Sequence, residues 1–507
     1  MKQYLFLLCL LCACAVQAQP FPHVIWDRSG MGDSSLYGYK ILPLGDQNND
    51  GYADWAVLAA GWGPPGQASE ARLDFYHGGN PPGVQPYRII RGDTIHGALA
   101  GWGAADVLGD VNGDGYTDWF VKTLNAQHNG YVISIYYGGS EADTAAQTTF
   151  DIAGPDEFGT IGDFNGDGFS DLYWFHNVAG YVDVYYGGVS IDTIPDWTIH
   201  NAPSTQMVFP WSFGDLNGDG YSDYVSADVS SNTTYIFLGG AHPDTVPAYT
   251  WPNMAWPQAI VPSLIGNRIA DLVLHARETG PICFGGTTLR AEPDVTLSFP
   301  CGMSSADEAV SVGDINHDGY NDLVLVSSYC ENSDWGVLSL YLGHPWLNPQ
   351  PVWTIEGRGW QNLVSIQTAA GLGDVNGDGI DDIAIGAYDG LDFDGWRGRC
   401  IIVAGDTMLR AEADPRFSVE PASFSVQAFP NPFNASTTLT FSLPTPAVVT
   451  MEVFDVLGRC AWRKELGRMT AGEKREVWDA AEMTSGVYFV RVNAGELARV
   501  EKVMLLR

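Results

Sequence analysis

Along residues 20–405 the apolar positions fall in short alternating runs between Gly-rich turns, and no stretch carries the period of a helix. One order of runs recurs. From Asp196 to Gly240 it starts with Asp-Trp-Thr-Ile at 196–199, then Phe209 to Phe213 leads into an acidic loop. Asp223-Tyr-Val-Ser226 leaves that loop, and Thr234-Tyr-Ile-Phe-Leu-Gly-Gly240 ends the unit in a Gly-Gly turn. The last run returns as DFYHGG, SIYYGG, DVYYGG, IFLGG, ICFGG, LYLGH and IIVAG. Each run predicts a strand, so each unit predicts four.

The acidic loop sets the count. GDQNNDGYADW, GDVNGDGYTDW, GDFNGDGFSDL, GDLNGDGYSDY, GDINHDGYNDL and GDVNGDGIDDI start at Gly45, Gly109, Gly162, Gly214, Gly313 and Gly373. Their leading aspartates are 64, 53, 52, 99 and 60 residues apart. The 99-residue gap hides a seventh unit, in which Leu264-Ile-Gly-Asn-Arg-Ile-Ala-Asp-Leu-Val-Leu274 keeps the following strand and loses most of the loop. Four strands per unit of roughly 50 residues is the blade pattern of a β-propeller. The expected fold is all-β: a seven-bladed β-propeller over 19–405, a linker over 406–426, and a small Ig-like β-sandwich over 427–507. Val24-Ile25-Trp26-Asp27 matches the first strand of later units. It is expected to complete the last blade beside Cys400–Ala404, which hides an aggregation-prone edge.

Numbered from the leading Asp, positions 1, 3, 5 and 9 are Asp, Asn, Asp and Asp in all six acidic loops, with Gly at 6. Oxygen side chains at alternate positions of a tight turn suit a hard cation such as Ca2+, which takes six to eight oxygens at about 2.3–2.6 Å. Glycine permits the turn. Position 7 cannot ligate through its side chain and would offer its carbonyl. The expected ligands are Asp46, Asn48, Asp50, Tyr52 and Asp54; Asp110, Asn112, Asp114, Tyr116 and Asp118; Asp163, Asn165, Asp167, Phe169 and Asp171. The remaining sets are Asp215, Asn217, Asp219, Tyr221 and Asp223; Asp314, Asn316, Asp318, Tyr320 and Asp322; Asp374, Asn376, Asp378, Ile380 and Asp382. EF-hands share this start but need Glu at position 12. Here that position holds Val57, Val121, Trp174, Ser226, Leu325 or Ile385, and a strand follows. Six copies of one ligand pattern argue against merely solvated turns.

These loops, with Gly386-Ala-Tyr388, make residues 40–405 resemble FG-GAP/VCBS repeats, the blades of the integrin α-subunit propeller. The resemblance implies seven blades with calcium in the hairpin loops of one face. The fifth unit departs: only Asp271 survives and Arg268 stands inside the loop, so no metal is expected there.

After Gly405 the repeat stops. Phe429-Pro-Asn-Pro-Phe-Asn434, Phe441-Ser-Leu-Pro444, Val453-Phe-Asp-Val-Leu-Gly458, Trp478-Asp479 and Ser485-Gly-Val-Tyr-Phe-Val490 punctuate alternating strands. This string, ending in Lys502-Val-Met-Leu-Leu-Arg507, resembles the C-terminal sorting domain of the type IX secretion system. That implies engagement of the type IX machinery, export across a bacterial outer membrane, and release or surface attachment.

Composition agrees with an exported all-β chain. Residues 1–18 read as a signal peptide, with Lys2, an apolar stretch from Leu5 to Val16, and cleavage after Val16-Gln17-Ala18. The competing reading is a lipoprotein signal around Leu11-Cys12-Ala13-Cys14. No transmembrane segment is expected. Sixty acidic against 25 basic residues give a charge of −35, which argues against nucleic acid or an anionic membrane as partner. Bound divalent cations would offset it. Cys283, Cys301, Cys330, Cys400 and Cys460 follow the signal with no zinc or redox spacing, and Cys301–Cys330 is the one pairing suggested.

No metalloprotease, serine-hydrolase or phosphate-loop motif is present. The expected function is a secreted or cell-surface calcium-binding propeller acting as a non-catalytic binding or adhesion protein for an extracellular protein or glycan. The alternatives are a secreted polysaccharide-active, lyase-like enzyme and a structural envelope component. Convergent, metal-free carboxylates or an Arg/Lys–Tyr pair in the central channel mouth would favour the enzyme. Partner binding is expected on the face opposite the acidic loops, through the variable loops Ala59–Arg72, Lys122–Gly130, Ser327–Trp335 and Ala387–Arg399. Those loops carry Trp62, Trp335, Tyr388, Phe393 and Trp396, beside Asp389, Asp392 and Asp394.

Overall fold

The computed structural model describes residues 22–30, 36–60, 72–91, 105–125, 130–139, 146–152, 156–176, 180–200, 208–228, 231–254, 256–275, 279–299, 308–328, 336–345, 347–357, 366–387, 398–407, 409, 426–429, 431, 433–443, 447–456, 459–469, 472–480, 483–494 and 497–506. Among them every regular element is a strand. The chain divides into two units, Met1–Ala411 and Glu412–Arg507.

In the first unit the described strands form seven four-stranded antiparallel sheets. The first sheet runs Tyr37–Gly45, Asp54–Ala59, Arg72–Tyr76, Arg88–Arg91, from inside to outside. Five more repeat that order. The innermost strands, among them Ala105–Gly109, Glu157–Gly162, Val208–Gly214, Trp256–Val261, Glu308–Gly313 and Thr368–Gly373, neighbour one another in a closed ring. This is a β-propeller. Each unit's leading strand in the sequence serves as the outer edge of the preceding sheet; Trp197–His200, for example, pairs with Tyr181–Tyr185. The N-terminal strand Val24–Ser29 has no preceding sheet. It pairs with Arg399–Val403 and closes the last one, where the Arg399 guanidinium grips Asp27 at 2.6 and 2.8 Å.

Burial follows position in the sheet. The second strands Asp54–Ala59, Asp223–Asp228, Asp322–Ser327 and Asp382–Ala387 are buried at every residue, because neighbouring sheets cover both their faces. The outer strands alternate, as in Thr148–Ile152 and Trp353–Glu356. The cores therefore lie between sheets. Val324, Val326, Leu338 and Leu340 pack with Ile383, Ile385, Ile401 and Val403 of the next sheet.

The second unit pairs Val426–Phe429, Ser436–Leu443 and Gly472–Asp479 in one sheet. The other holds Cys460–Met469, Ala447–Asp455, Gly486–Ala494 and Leu497–Leu505, in that order. Inward residues of both sheets, including Leu439, Phe441, Met451, Val453, Trp478, Val490 and Val503, make one core. The Pro-Asn-Pro-Phe string has a mechanical role. Asn431 accepts from Met504 N at 2.9 Å and donates to Lys502 O at 2.8 Å, while Phe433 exchanges backbone bonds with Met504 and Leu506. The motif thereby pins the last strand.

Candidate metal loops and the ring that links them

Five of the seven hairpins between the first and second strands begin on a bulge. Gly45, Gly109, Gly162, Gly313 and Gly373 sit at φ between +67° and +78°, at or beside the point where the strand register shifts. The leading carboxylate then folds over the loop's own amides. Asp110 Oδ1 accepts from Gly113 N at 2.7 Å and Asp114 N at 3.1 Å, and Oδ2 accepts from Gly115 N at 2.8 Å. Asn112 Oδ1 accepts from Asp114 N, and Asp114 Oδ1 from Tyr116 N. The loops led by Asp46, Asp163, Asp215, Asp314 and Asp374 repeat this scheme, with both of the leading carboxylate's oxygens on amides.

The ninth residue does something sequence reasoning missed. Asp54, Asp118, Asp171, Asp223, Asp271, Asp322 and Asp382 are fully buried beneath their loops. One oxygen of each accepts from the amide of position 2, at 2.8–3.0 Å. The other accepts from the first glycine after the third strand of the sheet: Gly78, Gly138, Gly187, Gly239, Gly285, Gly343 and Gly405, at 2.7–3.0 Å. This carboxylate latches the hairpin to the neighbouring turn in all seven units. Burial pushes the Asp118, Asp171, Asp223 and Asp382 carboxyls up to about 7 and that of Asp322 to about 8, against the pull of the two amides. The retained Asp271 was the sequence signal, since it survives where the other acids do not.

The units are also chained to one another. Ala53, Ser170, Ser222 and Ala270 N donate to the carbonyls of Asp374, Asp110, Asp163 and Asp215 in the preceding units, at 2.8–2.9 Å. Gly79, Gly188, Gly240 and Gly286 N bond the preceding position-2 carbonyls of Val375, Val111, Phe164 and Leu216. Between the first and second units, the Gln47 side chain bridges instead, donating to Thr117 O and accepting from Gly139 N. The position-7 side chain lies over the preceding loop: a Cβ on Gly166 would stand 2.1 Å from Tyr221 Cε1, and one on Gly377 2.3 Å from Tyr52 Cε1. An apolar residue at position 7 thus packs between units.

The fifth unit is an internal control. Its hairpin keeps its shape with neutral side chains: Ser263 Oγ donates to Asn267 Oδ1 at 2.7 Å, and Ile269 N reaches the same oxygen at 3.0 Å. The sequence reading that most of this loop is lost holds for its acids and not for its conformation.

All thirty expected ligand residues lie in the six hairpins. Their donor set is oxygen throughout, which fits a hard divalent cation and not a soft one. Among the described residues no three His, Cys, Asp or Glu side chains meet as a metal cluster. A cation here would also draw on the oxygens of positions 3 and 7.

The channel side was only partly anticipated. Lys40 pairs with Asp106 on adjacent inner strands, and Glu308 accepts from Thr368 Oγ1 at 2.9 Å. Burial pushes the Glu308 carboxyl up, offset by Thr368 and the Lys40 charge. Asp106 also pushes the Glu308 carboxyl up, so two carboxylates outside the hairpins act on each other across the inner strands. The expected partner-binding residues Trp62, Trp335, Tyr388, Asp389, Asp392, Phe393, Asp394 and Trp396, like Cys301, Cys330 and the signal peptide, lie outside the described residues. Cys283, Cys400 and Cys460 are free thiols.

One latch can be tested apart from any metal. Asp271→Asn leaves one of two buried amides without an acceptor, at a cost of about 1–3 kcal/mol. Burial, reinforced by Asp294, pushes the Asp271 carboxyl up to about 6 from an ordinary 3.8. A carboxyl raised in the fold stabilises fully below its unfolded pKa and loses that contribution as pH rises through about 6. Denaturant melts should therefore show the gap between wild type and variant widest near pH 4 and narrower at pH 7, with metal content unchanged. Equal stability at pH 4 would remove the latch role.

A propeller carrying a separate C-terminal β-sandwich is the class these observations define. Residues 427–506 match the secretion system C-terminal sorting domain family, and residues 367–399 match the FG-GAP repeat family. The chain is 28% identical over 149 residues to phosphatidylinositol-glycan-specific phospholipase D of Rattus norvegicus, which covers 26% of this chain and 17% of that protein. Among solved structures it is similar to PorZ, an essential bacterial surface component of the type-IX secretion system of Porphyromonas gingivalis. There the TM-score is 0.36 at 13% identity, over 92% of this chain and 59% of that one. A structure of BBS1N in complex with ARL6DN gives TM-score 0.42 at 12% identity, over 77% and 99% of the two chains. The sorting domain marks this chain as a type IX secretion cargo, secreted or held at the cell surface. No helix among the described residues is long and apolar enough to cross a membrane.

Proposed function

We propose that the six acidic hairpins bind Ca2+ and that the protein is an exported calcium-binding propeller serving as a non-catalytic binding or adhesion protein. The fifth hairpin carries this reading. It folds the same turn with Ser263 and Asn267, so the turn itself does not require carboxylates. Six units nevertheless keep acids at positions 1 and 5. Crowding that many anions on one face costs free energy unless a cation shares them. The cation would be held by positions 1, 3 and 5, the position-7 carbonyl, and the position-9 carboxylate. Its contribution is charge neutralisation and rigidity. The extracellular partner is a protein or a glycan. Elemental analysis of the purified chain is the test. Six calcium ions per chain are expected, seven would overturn the metal-free fifth unit, and none would overturn the reading.

A further inference from the structure

We infer that the cleft beside the fifth hairpin is a binding subsite for an acidic sugar, with Arg268 as the carboxylate anchor. This rests on the calcium reading, because calcium must first neutralise the two acidic loops that flank the cleft. Four observations converge on it.

Arg268 is the one Lys or Arg in positions 1–9 of any of the seven hairpins. It stands at position 6, where every other unit has glycine, and it adopts the same left-handed backbone at φ +67°. A side chain there carries backbone strain that glycine avoids. Nothing in the hairpin repays that cost, since Arg268 makes no hydrogen bond or ion pair among the described residues, although it is exposed amid carboxylates. Finally, Arg268 lines a cleft of about 540 Å³, a volume within the range of small-ligand sites.

The walls of the cleft supply the rest of a sugar site. Asp215 of the fourth unit and Asp318 of the sixth lie on either side. Tyr320 forms part of the wall, its ring so close over Gly266 that a Cβ there would stand 2.6 Å from Cε1. An aromatic face suits the apolar side of a pyranose. Asn321 also lines the cleft and offers a polar partner to hydroxyls. A planar guanidinium binds a carboxylate through two parallel bonds, which distinguishes a uronic acid from a neutral hexose. With calcium in both flanking loops, Asp215 and Asp318 no longer repel that carboxylate.

The test uses the full chain with its calcium content verified, titrated calorimetrically with glucuronate, glucose and acetate. Glucuronate should bind saturably, with glucose and acetate each at least tenfold weaker. Arg268→Gly relieves the backbone and should melt no lower than wild type with the same calcium content, while losing glucuronate binding at least tenfold. Equal glucuronate binding by the variant, or lower melting of the variant, would overturn the anchor role. Acetate binding as well as glucuronate would reduce the site to a bare anion hole and overturn the sugar assignment. No glucuronate binding by a chain that holds six calcium ions would sink this inference alone, whereas a chain without calcium would sink the reading beneath it.

Discussion

Stripping calcium from the full chain should lower its melting temperature by on the order of 10 °C. The argument is one of linkage. A ligand bound only by the folded state stabilises it by RT ln(1 + [L]/Kd), about 1.4 kcal/mol per site at tenfold excess over Kd. Six such sites amount to about 8 kcal/mol, and affinities of about 10⁻⁴–10⁻³ M keep them loaded outside a cell. The chain bears a charge of −35, so six divalent ions would also relieve self-repulsion. The effect spreads around the ring, since the carbonyls of Asp110, Asp163, Asp215 and Asp374 each hold an amide of the following unit. Asp110→Ala should release one ion and loosen the third sheet as well as its own, because Ser170 N bonds the Asp110 carbonyl. Differential scanning calorimetry before and after chelation decides it. A melting temperature indifferent to chelator, starting from verified metal-loaded protein, would falsify the calcium reading.

Removing residues 427–507 should abolish release from the host cell while leaving a folded, calcium-binding propeller in the periplasm. The sorting domain is a unit with its own two-sheet core, and the propeller's inter-sheet clusters are built without it. Cutting only residues 497–507 should have the same effect on export. That deletion removes a strand whose Val503 and Leu505 are buried in the core and whose backbone is held by Asn431 and Phe433. Immunoblots of medium, surface and periplasmic fractions give the readout. Normal appearance of either truncated chain in the medium would show that export does not depend on this domain.

Much of this molecule is legible from the chain alone. The all-β class, the unit grammar and the phase that sends Val24–Ser29 to the last sheet all follow from a repeated string. That string specifies local geometry, and local geometry needs no knowledge of distant contacts. The hairpin chemistry is equally local: Asp, Asn and Gly at fixed offsets dictate a turn crowded with oxygens. The sorting domain was readable for the same reason, as its landmarks lie in one continuous segment.

What only the tertiary structure decided concerns residues whose partners lie in another strand or another unit. Asp54, Asp118, Asp171, Asp223, Asp322 and Asp382 read only as position-9 ligands in the sequence; the fold shows that each of them, and Asp271 with them, is also a buried latch onto a glycine 14–24 residues away. Tyr52 and Tyr221 look like bearers of a useful carbonyl, while their rings cover glycines of the preceding hairpin. Gln47, to which the sequence assigns no role, bridges two units across 70 and 92 residues of chain. Arg268 reads as decay of a metal loop until the ring places it in a cleft between Asp215 and Asp318. A repeat encodes what one unit does with itself; ring closure alone fixes what one unit offers the next, because that depends on which surfaces meet.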